Sequence, residues 1–221
     1  MLERVLDSLA GIHGLESIYI VTNDKFYSGF RNWIDGYPAK NGHFKFNLIN
    51  NGSKKHHRSV GAIGNLHLVL TREKIEDDVV VVAADNLFSE SLAGFVKFAR
   101  QKNAPVLAVY TIDNLDDCGE YNSIELDRSG KITFFEEKPT RPKGLTIGVA
   151  LYYYPKSSLE LIERYVAEQN NLEEPGRLVE WMYHRTSFYT WRVPGIWRDV
   201  GSKEKLEEAN YIFARVNKIG K

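Results

Sequence analysis

The sequence predicts a single α/β domain built around a mostly parallel, mixed β-sheet. Three observations carry that prediction. Apolar strands alternate with amphipathic helices along most of the chain, one hairpin interrupts the alternation, and no linker, repeat or low-complexity tract divides it. Strands separated by helices are joined by crossovers, which favours parallel pairing, whereas a hairpin is antiparallel by construction.

Leu2, Val5, Leu6 and Leu9 recur at helical spacing, and Gly11 follows as a C-terminal stop. Residues 17–22 (SIYIVT) are β-branched and apolar, a short buried strand. Asn23 and Asp24 then offer caps for a helix carrying Phe26, Phe30, Trp33 and Ile34. Phe44, Phe46 and Leu48 alternate as a half-buried strand, residues 50–59 read as polar loop, and residues 60–72 read as a helix despite Gly61 and Gly64. Residues 78–84 (DVVVVAA) form the most apolar strand of the chain, which predicts a parallel strand buried on both faces and ending at Asp85. Leu92, Phe95, Val96 and Ala99 give the next helix, and residues 105–111 another strand.

Ile124 to Leu126 and Lys131 to Phe135 flank the turn Asp127-Arg128-Ser129-Gly130 and read as the hairpin. A long apolar strand at residues 145–154 precedes a helix with Leu159, Leu161, Ile162 and Tyr165, and a second helix runs over residues 175–185. Short strands near residues 187–193 and 196–200 lead to a final helix containing Leu206, Ala209 and Ile212.

Of the 221 residues, 43% are hydrophobic, and 29 basic residues balance 29 acidic ones. That balance argues against a protein that grips many phosphates of a nucleic acid. The single cysteine, Cys118, has no partner for an internal disulfide, so a reducing cytoplasm is the expected setting. No apolar run reaches membrane-spanning length and the first residues lack a signal-peptide pattern, so no membrane association is expected. Twelve Tyr, 11 Phe and 4 Trp supply bulk for a sizeable core.

In open α/β sheets, ligands lie beyond the carboxyl ends of the strands, which directs attention to Asp85. A carboxylate there can meet a hydrated cation and a phosphate, or it can simply cap a helix. Asp199, in Trp197-Arg198-Asp199-Val200-Gly201, is a second acid between a short strand and a turn. Mg²⁺ commonly takes one or two protein carboxylates and leaves its other positions to water and phosphate, so two acids from distant strands suit it.

Glu136-Glu137-Lys138-Pro139 follows an apolar strand, and Pro139 biases Lys138 toward extended geometry. Glu137 can accept from sugar hydroxyls while Lys138 neutralises a phosphate; a solvated strand end is the plainer alternative. The basic run Lys54-Lys55-His56-His57-Arg58 reads as a solvated loop or a phosphate-approach loop. Gly61 and Gly64 open the next helix, where the absent side chains admit either a nucleotide base or close helix packing. Cys118 has no evident nucleophile partner and reads as structural or incidental.

Taken in order, these segments resemble the sugar-nucleotidyltransferase family, which includes glucose-1-phosphate thymidylyltransferases and mannose-1-phosphate guanylyltransferases. Val79 to Phe88 (VVVVAADNLF) resembles the strand that ends in a metal-binding Asp. Glu136 to Pro139 is similar to the EEKP segment, and Trp197 to Gly201 (WRDVG) to the segment with a second metal Asp. Gly61-Ala62-Ile63-Gly64 resembles the nucleotide-base segment, and Thr146-Ile147-Gly148 the sugar-contacting one.

The resemblance implies a Rossmann-like three-layer sandwich. It also implies Mg²⁺ on Asp85 and Asp199, Glu137 on the sugar, Lys138 on its phosphate, and further substrate contacts at Gly61, Gly64, Asn122, Thr146 and Gly148. The implied reaction joins a nucleoside triphosphate to a sugar 1-phosphate, giving an NDP-sugar and pyrophosphate, with Lys138 and Asp85 as the catalytic residues.

The chain departs from the family pattern in three places. The glycine-rich GxGTRL loop and its strand have no counterpart, so residues 1–221 are expected to be one catalytic-type domain, N-terminally incomplete and impaired in turnover. Asn122 stands where the family usually has glycine, and Ala84 replaces a common glycine before Asp85. A non-catalytic regulatory homologue that binds nucleotide sugars is one alternative. A glycosyltransferase of similar fold is another, although Asp85-Asn86-Leu87 lacks the second acid of an Asp-x-Asp motif. Base and sugar identity, and assembly into a homo-oligomer, are left open by the sequence.

Overall fold

The structure is a computed structural model that describes residues 1–37, 44–53, 60–115 and 119–219. Lys54-Lys55-His56-His57-Arg58 and Cys118 lie outside the described residues. In chain order the elements are α1 (Leu2–Leu9), β1 (Ser17–Thr22), α2 (Asp24–Gly36), β2 (Lys45–Asn50), α3 (Ala62–Arg72), β3 (Val79–Val82), β4 (Asn86–Phe88), α4 (Ala93–Lys102) and β5 (Val106–Thr111). They continue with β6 (Asn122–Leu126), β7 (Ile132–Glu137), β8 (Thr146–Tyr154), α5 (Leu159–Ala167), α6 (Pro175–Met182), β9 (Tyr189–Arg192), β10 (Trp197–Asp199) and α7 (Lys203–Ile219).

The core is organised by β8 and β5, whose side chains alternate between two apolar clusters as the period of two requires. Ile147, Val149, Leu151 and Tyr153 of β8 join Val106 and Ala108 of β5 in one cluster with Val5, Leu6, Phe95 and Ala99, which belong to α1 and α4, and Phe213 of α7. Tyr152 and Tyr154 join Leu107 and Val109 in the other, against Ile63 of α3, Ile162 and Tyr165 of α5, and Leu178 and Met182 of α6. The register agrees: Val106 lies opposite Tyr153 and Leu107 opposite Tyr152, each pair within one cluster. Helices therefore cover both faces of the sheet, giving the three-layer α/β sandwich.

Pairing is mixed. β1 and β2 run parallel, as do β5 and β9, while β3 with β8, β5 with β8, β4 with β10 and β6 with β7 are antiparallel. The central sheet has the order β3-β8-β5-β9.

The parallel, fully buried strand expected at residues 78–84 does not form. The strand within DVVVVAA is an edge strand antiparallel to β8, and each of its four valines is only half-buried. Its apolar run reflects helices on both faces, since Val80 and Val82 pack on one cluster and Val79 and Val81 on the other, but among the described residues one lateral edge carries no strand.

The antiparallel pairs position the functional end of the molecule. Because β8 runs against β3 and β5, its amino end lies beside their carboxyl ends, with Thr146 opposite Thr111 and Gly148 opposite Val109. The β6–β7 hairpin and the β4–β10 ribbon both gather at this edge.

Candidate functional site

At the end of β3 the Ala83 N–H still donates to Ala150 O at 2.9 Å; the chain then turns through Ala84 and Asp85 into β4. Antiparallel pairing of β4 with β10 sets Asn86 opposite Asp199, and the Val200 N–H donates to Asp85 O at 2.9 Å. Asp85 and Asp199, 114 positions apart by subtraction, thus become neighbours across a short ribbon.

Asn86 fixes the first of them. Its Nδ2 donates to Asp85 Oδ1 at 3.0 Å, while its buried Oδ1 accepts from Trp197 Nε1 at 2.8 Å. Burial raises the Asp199 carboxyl above its ordinary range, the nearby charge of Asp85 raises it further, Lys205 opposes, and Glu120 adds a smaller push upward. Two carboxylates this close, one of them raised partly by the charge of the other, form an acidic pair of the kind a divalent cation relieves. Among the described residues no cluster of three or more His, Cys, Asp or Glu side chains could hold a metal.

The hairpin brings the second group of residues. Asn122 opens β6 directly opposite Glu137, the last residue of β7. Its buried amide reaches β8, accepting from Gly148 N–H at 2.6 Å and donating to Gly148 O at 3.1 Å. Asn122 is therefore spent on tying the hairpin to the central sheet. Gly148 must be small at this junction, because a Cβ there would meet Leu107 at 2.6 Å and Asn122 Oδ1 at 3.2 Å. Thr146 sits half-buried in the same strand, opposite Thr111.

Lys138 does not take the extended geometry expected before Pro139. Its φ is +50°, in the left-handed region, and its N–H donates to Tyr121 O at 2.8 Å. That bond extends the hairpin ladder by one step and turns the chain, so the ammonium is delivered to the side where α6 begins.

There Lys138 Nζ lies 2.5 Å from Glu174 Oε1, while Arg177 Nε is 3.3 Å from Glu174 Oε2 and Arg177 Nη1 is 2.9 Å from Glu180 Oε2. Beside this network Glu137 is buried, and its Oε2 has no hydrogen-bond partner. Its pKa is pushed up to about 7 from the usual 4.5, chiefly by burial and then by the charge of Glu174, against the pull of Lys138 and Arg177. Gly176 makes this possible, since a Cβ there would fall 1.7 Å from Glu137 Oε2. Glu174, Gly176 and Arg177, which contact this group, are candidate residues that sequence reasoning missed. The available signal was Pro175-Gly176 at the start of a helix, where glycine has no helix-forming advantage and so marks close approach.

Gly61 and Gly64 are explained by packing. At Gly61, where φ is +76°, a Cβ would lie 2.1 Å from Leu172 O, and at Gly64 it would meet Val60 at 2.9 Å and Leu172 at 3.5 Å. Ile63 N–H also donates to Leu172 O at 2.9 Å, so the start of α3 is seated on the chain's own loop before α6. The space in front of both glycines is filled, which favours the helix-packing alternative.

Aromatic side chains join the two halves of the site. Trp197 of β10 packs its ring on Tyr110 at 5.6 Å and on Tyr121 at 5.8 Å. Tyr121 thus touches the ribbon of acids with its ring and holds Lys138 with its carbonyl. Two surface hollows of about 510 and 470 Å³ lie elsewhere, one lined by Ile12, Val96 and Arg100 and the other by Leu2, Phe30 and Trp33.

This fold and this set of charged groups define an α/β sandwich protein with a polar site at the carboxyl edge of its sheet. Residues 1–215 match the nucleotidyl transferase family, and the chain belongs to it. The glucose-1-phosphate adenylyltransferase of Clostridium acetobutylicum is 25% identical over 136 residues, covering 60% of this chain and 36% of that protein. The bifunctional protein GlmU of Methanocaldococcus jannaschii is 26% identical over 156 residues, covering 70% of this chain and 36% of that protein. The chain spans about a third of the length of these relatives.

Solved structures share the fold. A protein assigned as a glucose-1-phosphate thymidylyltransferase from Bacillus anthracis superposes with a TM-score of 0.76 at 20% identity, covering 96% of this chain and 81% of that one. A UDP-glucose pyrophosphorylase complexed with UDP-glucose gives 0.72 at 16% identity, covering 97% of this chain and 84% of that one. Among the described residues no helix is long and apolar enough to cross a membrane.

Proposed function

We propose that this chain carries the sugar-phosphate half of a nucleotidyl transfer site. In the reaction, a phosphate oxygen of a sugar 1-phosphate attacks the α-phosphorus of a nucleoside triphosphate, the bond to the β-phosphate breaks, and NDP-sugar and pyrophosphate result. The observation that carries this reading is the link through Tyr121: its ring packs at 5.8 Å on Trp197 of the strand that ends in Asp199, and its carbonyl accepts from the N–H of Lys138, next to Glu137. Family membership supports it.

The assigned roles follow from charge and burial. The nucleophile is already an anionic phosphate oxygen, so no general base is needed and the protein's task is to align reactants and neutralise charge. Lys138 meets the sugar phosphate with its exposed ammonium. Glu137, buried and with a vacant acceptor, takes a sugar hydroxyl; the cost of an unpartnered buried oxygen favours any donor that reaches it. Asp85 and Asp199 are the residues that would hold Mg²⁺, which when bound supplies positive charge to the phosphate oxygens. Asn122 and Gly148 act by position, keeping Glu137 and Lys138 at the end of β8. Thr146 stands at the mouth of the same strand as a sugar contact. The setting is the cytoplasm, where the lone Cys118 is stable as a thiol.

The test is binding of a sugar 1-phosphate by calorimetry. Lys138→Ala is expected to weaken it by roughly 1.5 to 3 kcal/mol, the scale of a charge-assisted hydrogen bond. Unchanged affinity in that variant would remove Lys138 from the site. NDP-sugar bound without any pyrophosphate released from nucleoside triphosphate, even after a strand and glycine-rich loop are fused ahead of Met1, would favour a regulatory binding protein instead.

A further inference from the structure

The ion pair on Lys138 has a consequence for how an anion reaches it. The ammonium that the proposed function gives to a sugar phosphate already has an occupant, Glu174 Oε1 at 2.5 Å. We infer that Glu174 is a displaceable counter-ion: a phosphate monoester binds Lys138 by exchange with the Glu174 carboxylate, which withdraws onto Arg177. The inference rests on the reading of Lys138 as the phosphate ligand.

Three features of the network carry it. First, the pair can be opened. The Lys138 side chain is 52% exposed and the Glu174 side chain 25%, so water screens the attraction and the pair is worth little net free energy. A phosphate dianion brings more charge and more acceptor oxygens to the same ammonium than one carboxylate does, so it wins the exchange, whereas an uncharged sugar does not.

Second, the carboxylate has somewhere to go. Glu174 Oε2 already lies 3.3 Å from Arg177 Nε, one turn along the same helix, and Arg177 is held in turn by Glu180 at 2.9 Å. Losing Lys138 therefore leaves Glu174 paired, and the exchange strands no charge. Without Arg177 the same exchange would expose an unpaired carboxylate beside a phosphate, at a cost in repulsion.

Third, the arrangement is held by structure. Lys138 is fixed in the left-handed region by its bond to Tyr121 O, and the start of α6 is pressed against Glu137 at Gly176, so Glu174 and Lys138 are brought together by two separate elements. Glu174 thus sets the threshold for binding: it tunes affinity for the phosphate group and leaves recognition of the sugar hydroxyls to Glu137.

The experiment is calorimetric titration of the full 221-residue chain at constant ionic strength, with inorganic phosphate and separately with α-D-glucose 1-phosphate as probes. Glu174→Gln is expected to bind both probes roughly two- to fivefold more tightly, the scale of an exposed ion pair lost from the competition. Glu174→Ala, which also removes the competing charge, is expected to do the same and stands in if the Gln variant is unstable. Arg177→Met is expected to weaken binding in the native chain and to leave it unchanged in the Glu174→Gln background, a coupling that a merely structural Arg177 would not produce. In a Lys138→Met background the gain from Glu174→Gln is expected to vanish. If Lys138→Met weakens binding but Glu174→Gln and Glu174→Ala leave it unchanged or weaken it, the counter-ion proposal is overturned while the role of Lys138 stands. Should Lys138→Met itself leave affinity unchanged, the reading of Lys138 falls and the proposal falls with it.

Discussion

The side-chain amide of Asn122 occupies both backbone hydrogen-bonding groups of Gly148, accepting from its N–H at 2.6 Å and donating to its carbonyl at 3.1 Å. A side chain here imitates a paired strand and bonds the hairpin that carries Glu137 and Lys138 to the central sheet. Asn122→Gly, which restores the residue usual in the resembling family, removes both bonds at a buried position. Urea denaturation is expected to show a loss of about 1 to 3 kcal/mol. Sugar 1-phosphate affinity should fall with it, because Glu137 lies directly opposite Asn122 in the hairpin. A variant as stable as the native chain would mean that Gly148 is satisfied without the amide.

Asp85 and Asp199 give a prediction with opposite signs with and without metal. An acid whose pKa is raised in the fold is destabilising once ionised, so the Asp199 charge works against the metal-free protein at neutral pH. Asp199→Asn should therefore raise the melting temperature slightly without Mg²⁺. The same change should weaken Mg²⁺ binding at least about tenfold and remove the stabilisation that added Mg²⁺ gives the native chain. Differential scanning fluorimetry across a Mg²⁺ series checks both halves. Equal Mg²⁺ stabilisation of native and variant proteins would sink the assignment.

Glu137 should leave its mark on stability between mildly acidic and neutral pH. Its carboxyl titrates near 4.5 when unfolded and near 7 in the fold, so over that interval the native state holds a proton that the unfolded chain has lost. Stability contributed by this group is full below about 4.5, declines as pH rises, and is gone above about 7. The total is on the order of 3 kcal/mol for a shift of this size. Glu137→Gln should remove that slope, so the difference between the two proteins in urea denaturation, followed from pH 4.5 to 8, isolates it. Parallel pH dependences would place the Glu137 carboxyl in water.

The sequence made the acid pair and the strand-end lysine legible because each sits at the end of an apolar run, where the period of two gives way to polar residues. The alternation of strands and helices likewise fixed the layers, as the split of Leu107 and Ala108 between the two clusters shows. What it could not reveal depends on lateral neighbours. A run of four valines looks the same in a central strand and in an edge strand with helices on both faces, so the edge position of β3 was hidden. Gly61 and Gly64 carried no sign that Leu172, more than a hundred residues later in the chain, fills the space before them. Glu174 and Gly176 escaped for the same reason: Pro175-Gly176 signals close approach, but that the approaching group is the end of β7 is not written in residues 174–177.

β1 and β3 are both terminal strands of their sheets. β1 is hydrogen-bonded only to β2, and β3 only to β8, among the described residues. Both strands are rich in β-branched residues, yet Ile18, Ile20, Val21 and all four valines of β3 remain half-buried. Three of them share their surroundings: Ile18, Val80 and Val82 pack against the cluster that contains Val5 and Leu6 of α1. A further strand preceding α1 could pair with either edge and bury those side chains. A glycine-rich loop at the end of such a strand would add amide donors and cationic side chains facing a triphosphate, a contribution often among the largest in phosphoryl transfer. The 221 residues contain no counterpart of that segment. Pyrophosphate release by the 221-residue chain, assayed with Mg²⁺, a panel of nucleoside triphosphates and several sugar 1-phosphates, is therefore expected to be slow or undetectable. Fusing a strand and glycine-rich loop ahead of Met1 is expected to raise it by at least about a hundredfold, the scale set by losing one or more preorganised donors to a developing charge. The same fusion should increase amide-exchange protection across β1 and β3, which reports strand pairing independently of turnover. Robust turnover by the unextended chain would show the prediction wrong and direct attention to Lys54, Lys55 and Arg58 as the triphosphate's cations.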